Sequence, residues 1–190
     1  MNKAIRNSFF ATLISASTFA ATPAIAEEVY MIRGFLNVFS DGMNQMTKRL
    51  KRQGIRAKAI SNGNWDKLAD DIIRRSRSNN VSYPIIIVGH SLGGVEAASF
   101  ANKLGSAGVR TDLLIGLDPG FPKPPALRRG AVQVINYKIP SGQFYRKGAG
   151  FKGRITNIDV SKFGTDHVGI DKNRSVQNLV ISRIREKVKK

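Results

Sequence analysis

The stretch Tyr83–Phe100, YPIIIVGHSLGGVEAASF, restricts this chain more than any other. Its β-branched run Ile85-Ile86-Ile87-Val88 reads as a strand buried on both faces. The run ends in Gly89-His90-Ser91-Leu92-Gly93-Gly94, and an alanine-bearing segment suited to a helix follows at once. Strand, sharp Gly-x-Ser-x-Gly turn and helix, in that order, is the setting of a nucleophile elbow. Such a turn strains the backbone at Ser91, and side chains at Gly89 and Gly93 would strike the adjoining strand and helix. Ser91 is then expected at the strand's C-terminal end, above a helix N-terminus. The plainer alternative is a glycine-rich turn with a bystander serine; the strand before it, the helix after it and the histidine placement below weigh against that.

The rest of the chain falls into the same alternation. Val29–Ile32, Ile55–Ile60, Asp112–Leu117, Ala131–Ile139 and Arg154–Val160 read as further strands. Met43, Met46 and Leu50 recur at helical spacing, with Ser40 as N-cap and Gly54 as stop. Trp65, Leu68 and Ile72 define a second helix, and Val176, Leu179, Val180, Ile184 and Val188 a last one. The proline-rich run Phe121–Pro125 is a loop. Strands alternating with helices predict a mostly parallel sheet of about six strands covered on both faces. A site in such a sheet lies at the carboxyl ends of the strands. Arg33-Gly34-Phe35, Ser91, Asp118 and His167 all follow strand ends.

A serine hydroxyl needs a base within hydrogen-bond reach. The chain has two histidines. His90 is inside the elbow with its side chain directed away from its neighbour, so His167, in the loop after the last strand, is the expected base. Of the acids between Ser91 and His167, Glu96 lies on the elbow helix, Asp112 at the wrong end of its strand, and Asp166 beside His167. Asp118 closes an apolar strand before Pro119-Gly120 and is the preferred acid, with Asp159 its rival. An oxyanion hole requires two backbone donors. Leu92 N–H at the helix start is one, and Phe35 N–H, where Gly34 lets the chain turn, is the expected second, with Leu36 as alternative. No metal or cofactor is implied.

Composition and the N-terminus bear on the compartment and the partners. Lys3 and Arg6 precede a small, apolar stretch and Ala24-Ile25-Ala26, the pattern of a signal peptide cut after Ala26. That leaves residues 27–190 as one domain, in a periplasm or released to the medium. Cysteine is absent, which excludes a disulfide scaffold and a cysteine nucleophile. Removing Lys3 and Arg6 lowers the formal charge only from +18 to +16. Such a surface attracts polyanions, among them an anionic membrane or lipopolysaccharide, or simply resists aggregation. No nucleic-acid motif accompanies the charge. A monomer is expected.

At Ser91 and Asp118 the chain resembles the α/β-hydrolase superfamily, in particular small bacterial lipases, esterases and thioesterases. Gly89-His90-Ser91-Leu92-Gly93-Gly94 matches the elbow of many lipases, and Gly116-Leu117-Asp118-Pro119 looks like the aspartate-bearing segment of pancreatic-type lipases. The order Ser…Asp…His is that of the superfamily. Arg33-Gly34 departs from the His-Gly common before the oxyanion hole, and the length leaves no room for a cap domain. The resemblance implies a three-layer α/β-hydrolase-like sandwich that cleaves carboxylic esters or thioesters through an acyl-enzyme. Phe35, Leu36, Phe39, Phe121, Phe144, Tyr145 and Phe151, in loops, are candidates to line an acyl pocket. An acyltransferase with the same triad, or a basic polyanion-binding protein on this scaffold, are the competing readings.

Overall fold

The computed structural model describes residues 27–35 and 41–189. The expected signal peptide, Leu36, Phe39 and Ser40 lie outside the described residues. The elements run β1 (Glu28–Ile32), α1 (Asp41–Lys51), β2 (Ala57–Ile60), α2 (Trp65–Ser76), β3 (Ile85–His90), α3 (Leu92–Ser106), β4 (Thr111–Leu117), β5 (Ala131–Lys138), β6 (Arg154–Asp159) and α4 (Arg174–Val188). The strands form one sheet in the order β2-β1-β3-β4-β5-β6, and every adjacent pair is parallel.

Strand periodicity divides the core in two. Val29 and Met31, Ile86 and Val88, Ile115, and Tyr137 point to one face, where Met43, Met46 and Leu50 of α1 meet Val176, Val180 and Ile184 of α4. Tyr30 and Ile32, Ile85 and Ile87, Leu114 and Val134 point to the other, against Ile72 of α2 and Ala97, Phe100 and Leu104 of α3. β3 is buried along its whole length, as its unbroken apolar run requires. α4 starts at Asn173, whose side chain accepts from the N–H groups of Ser175 and Val176.

The chain visits β2 on one side of β1 and then crosses to β3 on the other. That reversal opens a crevice at the carboxyl ends of β1 and β3, where open α/β sheets bind ligands. Ser91 and the Arg33–Phe35 segment leave the sheet on its two sides.

Candidate active site

Ser91 joins β3 to α3 with φ 55° and ψ −123°, a conformation that costs a non-glycine residue about 1–3 kcal/mol. The surroundings hold it there. Its N–H donates to Leu117 C=O at 3.1 Å, and its own carbonyl accepts from Gly94 at 2.9 Å and Gly120 at 3.2 Å. A Cβ at Gly89 would run into the Gly93 carbonyl, and one at Gly93 would come within 2.5 Å of Ile32 O and 2.6 Å of Arg33 O. The two elbow glycines therefore press the turn against both its helix and the end of β1.

Asp118 leaves β4 with φ 46°, its N–H donating to Tyr137 C=O at 2.7 Å. Only 2% of it is exposed. Both carboxylate oxygens are used: Oδ1 accepts from Ile139 N–H at 3.2 Å, and Oδ2 faces His167 Nδ1 at 2.6 Å. A proton on Nδ1 suits that bond and leaves Nε2 as an acceptor, 2.9 Å from Ser91 Oγ. The structure thus brings Ser91, His167 and Asp118 into one hydrogen-bonded line. The hydrogen bond to Asp118 and its charge raise the His167 pKa above 6.5, against burial, which lowers it. Asp159 is elsewhere: it is exposed, and its Oδ1 accepts from Ser161 N–H at 2.8 Å. Asp166 likewise closes its own turn through Gly169 N–H.

Leu92 opens α3, so its N–H is among those that helix geometry leaves without an internal carbonyl. The helix dipole adds positive potential there. Phe35 follows the β1 end that Gly93 abuts, and its side chain is 61% exposed. Among the described residues no group of three or more His, Cys, Asp or Glu could hold a metal ion.

Three residues have surroundings that the sequence did not reveal. His90 is buried, and its Nε2 lies 2.8 Å from the His167 carbonyl, which it reaches as a donor. Burial holds its pKa down to about 4, so the ring is neutral at neutral pH. Asp171 is buried in the same loop as His167, and its backbone lies hard against Gly42 in the first turn of α1. Burial pushes its carboxyl up to about 6, offset in part by N–H groups of Gly42 and Met43. Tyr145, a candidate for an acyl pocket or for packing, is core: 2% exposed, its hydroxyl donates to Gly94 C=O at 2.6 Å and its ring occupies the space above Gly116. Phe151 also packs against the α2–α3 side of the core. The β5–β6 connection folds back over the sheet, burying Tyr145 and partly burying Phe151. Phe121 and Phe144 remain exposed, and Phe121 stands edge-on to His167 at 6.2 Å between ring centroids. A cleft of about 320 Å³ beside them is lined by Asp118, Gly120, Phe121, Ile139, Gly142 and His167.

The sheet order, the strained serine and the aligned histidine define the class, a minimal serine hydrolase of α/β-hydrolase fold. A family model described as lipase (class 3) matches residues 4–117, and the chain belongs to that family. The match takes in Ser91 and stops one residue short of Asp118. A search of curated proteins finds no match. Among solved structures, the fold is shared with Est1E from Butyrivibrio proteoclasticus at a TM-score of 0.57 and 13% identity, covering 88% of this chain and 90% of that one. The type II thioesterase BorB from the borrelidin biosynthetic cluster matches at 0.56 and 12%, covering 87% and 93%. The NocB thioesterase domain from the nocardicin cluster matches at 0.53 and 12%, covering 87% and 95%. The protein is a serine ester hydrolase.

Proposed function

We propose that Ser91, His167 and Asp118 act as a catalytic triad that hydrolyses acyl esters or thioesters presented at an anionic lipid surface. The observation that carries this reading is the unbroken line from Ser91 Oγ through the His167 ring to buried Asp118, at 2.9 and 2.6 Å. Oγ attacks the carbonyl carbon as His167 Nε2 takes its proton. The oxyanion is met by N–H groups of Leu92 and Phe35. Collapse breaks the ester bond, the alcohol or thiol leaves with the proton from His167, and the acyl group stays on Ser91. Water then attacks, giving one proton to His167; this proton returns to Oγ as the acid departs.

Phe35, Phe121, Phe144 and Val168 are exposed on loops at this edge, and Lys123 and Lys172 are exposed on the same loops as Phe121 and Val168. Apolar side chains rimmed by cations suit an acyl chain on an acidic surface. The N-terminal pattern supports export, which would bring the enzyme to such a surface. The test is turnover of 4-nitrophenyl esters of increasing acyl length and of phosphatidylglycerol vesicles. Activity should rise with acyl length, and vesicle hydrolysis should fall steeply between low salt and about 1 M, where charge is screened within about 3 Å. Turnover indifferent to both acyl length and salt would contradict this reading.

A further inference from the structure

A cavity of about 770 Å³ lies away from Ser91, where β5 and β6 begin. Because the strands are parallel, this is the opposite edge of the sheet from the candidate active site, about 23 Å away along β5 at 3.3 Å per residue. Its walls include Arg129, Val132, Gly150, Lys152, Gly153 and Arg154.

The backbone around it is firmly built. Asn102 of α3 accepts from Arg128 N–H at 2.7 Å and donates to Ala126 C=O at 3.0 Å. Gly105 and Gly130 approach so closely that a Cβ on either would collide with the other segment. The β4–β5 and β5–β6 loops pair through Leu127 and Lys147, with Leu127 N–H donating to Arg146 C=O at 2.9 Å and Gly148 N–H to Leu127 C=O at 2.7 Å. Gly153 lets its strand start flush against the Ala131 and Val132 carbonyls.

The charges on these walls are left uncompensated. No Asp or Glu occurs between Asp118 and Asp159, whereas eight Lys or Arg do. Some cations elsewhere meet carboxylates: Arg75 pairs with Glu28, Lys103 with Asp66 and Asp70, Arg110 with Asp112. Among the described residues, the side chains of Arg129, Lys152 and Arg154 have neither an ion pair nor a hydrogen bond. A fixed frame holding three free cations around a void is what an anion would complete. Two guanidinium forks match the oxygens of a phosphate, and a lysine adds a point charge. The volume exceeds that of one phosphate group and leaves space for an organic remainder against Val132, which is 45% exposed.

We propose that the cavity between the starts of β5 and β6 is a phosphate-binding site, in which Arg129, Lys152 and Arg154 hold a phosphate monoester or diphosphate remote from Ser91. A soluble phosphate and a phosphorylated lipid headgroup present the same oxygens, and the test separates them. Inorganic pyrophosphate is titrated into the full-length, 15N-labelled protein while amide shifts are followed. The site variant is R129Q/K152Q/R154Q; the control, K48Q/K51Q/R52Q at the C-terminal end of α1 and the turn after it, removes the same charge from another face. Saturable shifts are expected at Gly130, Gly150 and Gly153, with affinity lowered about tenfold in the site variant and less than about twofold in the control. Sedimentation with phosphatidylglycerol and with phosphatidylcholine vesicles is the second arm. Retention on phosphatidylglycerol alone, lost in the site variant, assigns the lipid headgroup; pyrophosphate binding without vesicle binding assigns a soluble phosphate. Shifts spread over all basic faces, equal weakening in both variants, or no binding of either probe would overturn the proposal. All three proteins should turn over a soluble short-chain ester alike, so the outcome is independent of the role proposed for Ser91.

Discussion

The two edges of the sheet each bury a carboxylate, and they use it differently. At the start of β1, Glu28 is 9% exposed, and Arg75 grips it with Nη1 on Oε1 at 2.7 Å and Nη2 on Oε2 at 2.8 Å. Ser82 N–H and the Tyr30 hydroxyl complete its shell. Burial alone would raise its pKa, but these donors together hold it below the usual range. At the end of β4, Asp118 is buried more deeply still, yet its partner is a histidine, whose proton can move near neutral pH. An Arg–Glu clamp stays ionised and ties β1 to α2. An Asp–His pair can be discharged and recharged within one reaction cycle, and only there does a strained serine stand next in line. The same burial and hydrogen bonding serve folding at one edge and chemistry at the other, because the partner's basicity differs.

That contrast can be broken from either side. The largest effect on activity is expected at Asp118. Asp118→Asn puts an amide where His167 Nδ1–H donates, favouring the wrong ring tautomer, and should lower kcat by about ten-thousandfold while the thermal midpoint moves little. In the parent enzyme kcat/KM should rise with pH along an acid limb above 6.5, since His167 must be unprotonated to accept from Ser91. In the variant the residual limb should move to lower pH, the chief cause of the raised pKa having gone. Pre-steady-state rates across pH 5–9 with calorimetry of both proteins check this.

A middling loss is expected at His90. Removing its donor from the His167 carbonyl should cost about one to two decades in kcat, with KM nearly unchanged. His90→Asn, which retains a donor, should recover part of it. His90 also carries a stability signature: its folded pKa lies below its ordinary 6.5, so its contribution is present above pH 6.5 and lost as pH falls toward 4. Acid melts of His90→Ala should show a shallower decline over that window.

Activity should change least, and stability most, at Glu28. Glu28→Gln leaves Arg75 facing a neutral partner and should destabilise the fold by roughly 3 kcal/mol, while kcat on a soluble ester stays within about twofold. The depressed carboxyl pKa means that this contribution exists above the ordinary value of 4.5 and disappears as pH drops through the folded value. Chemical denaturation at pH 7 and pH 3 measures it.

Most of the architecture was legible because each strand carries its own periodicity. Ile85–Val88 could only be a doubly buried strand, and Met43, Met46 and Leu50 mark an inward helical stripe. β2 begins at Ala57 rather than Ile55 because Ile55 N–H still donates to Leu50 C=O and closes the end of α1. Strand ends placed Ser91 and Asp118 at one edge of a parallel sheet and elimination chose His167, but Asp159 stood near a strand end too, and only the structure shows that the His167 ring faces Asp118. What stayed hidden depends on segments distant in sequence. His90 reaches a carbonyl 77 residues away, and Asp171 lies against the first turn of α1. Tyr145 and Phe151 looked like loop aromatics because nothing local signals that their loop folds over α3. The cavity at Arg129, Lys152 and Arg154 exists only because two loops pair at Leu127 and Lys147.

The central claim is that Ser91 is activated by His167 and Asp118. Fluorophosphonate labelling of the purified protein, with mass mapping of the adduct, tests it most directly. A single adduct on Ser91 is predicted, formed at a rate that follows His167 deprotonation and slowed by orders of magnitude in His167→Ala. A folded protein that takes no label at Ser91, or labels equally fast without His167, would contradict it.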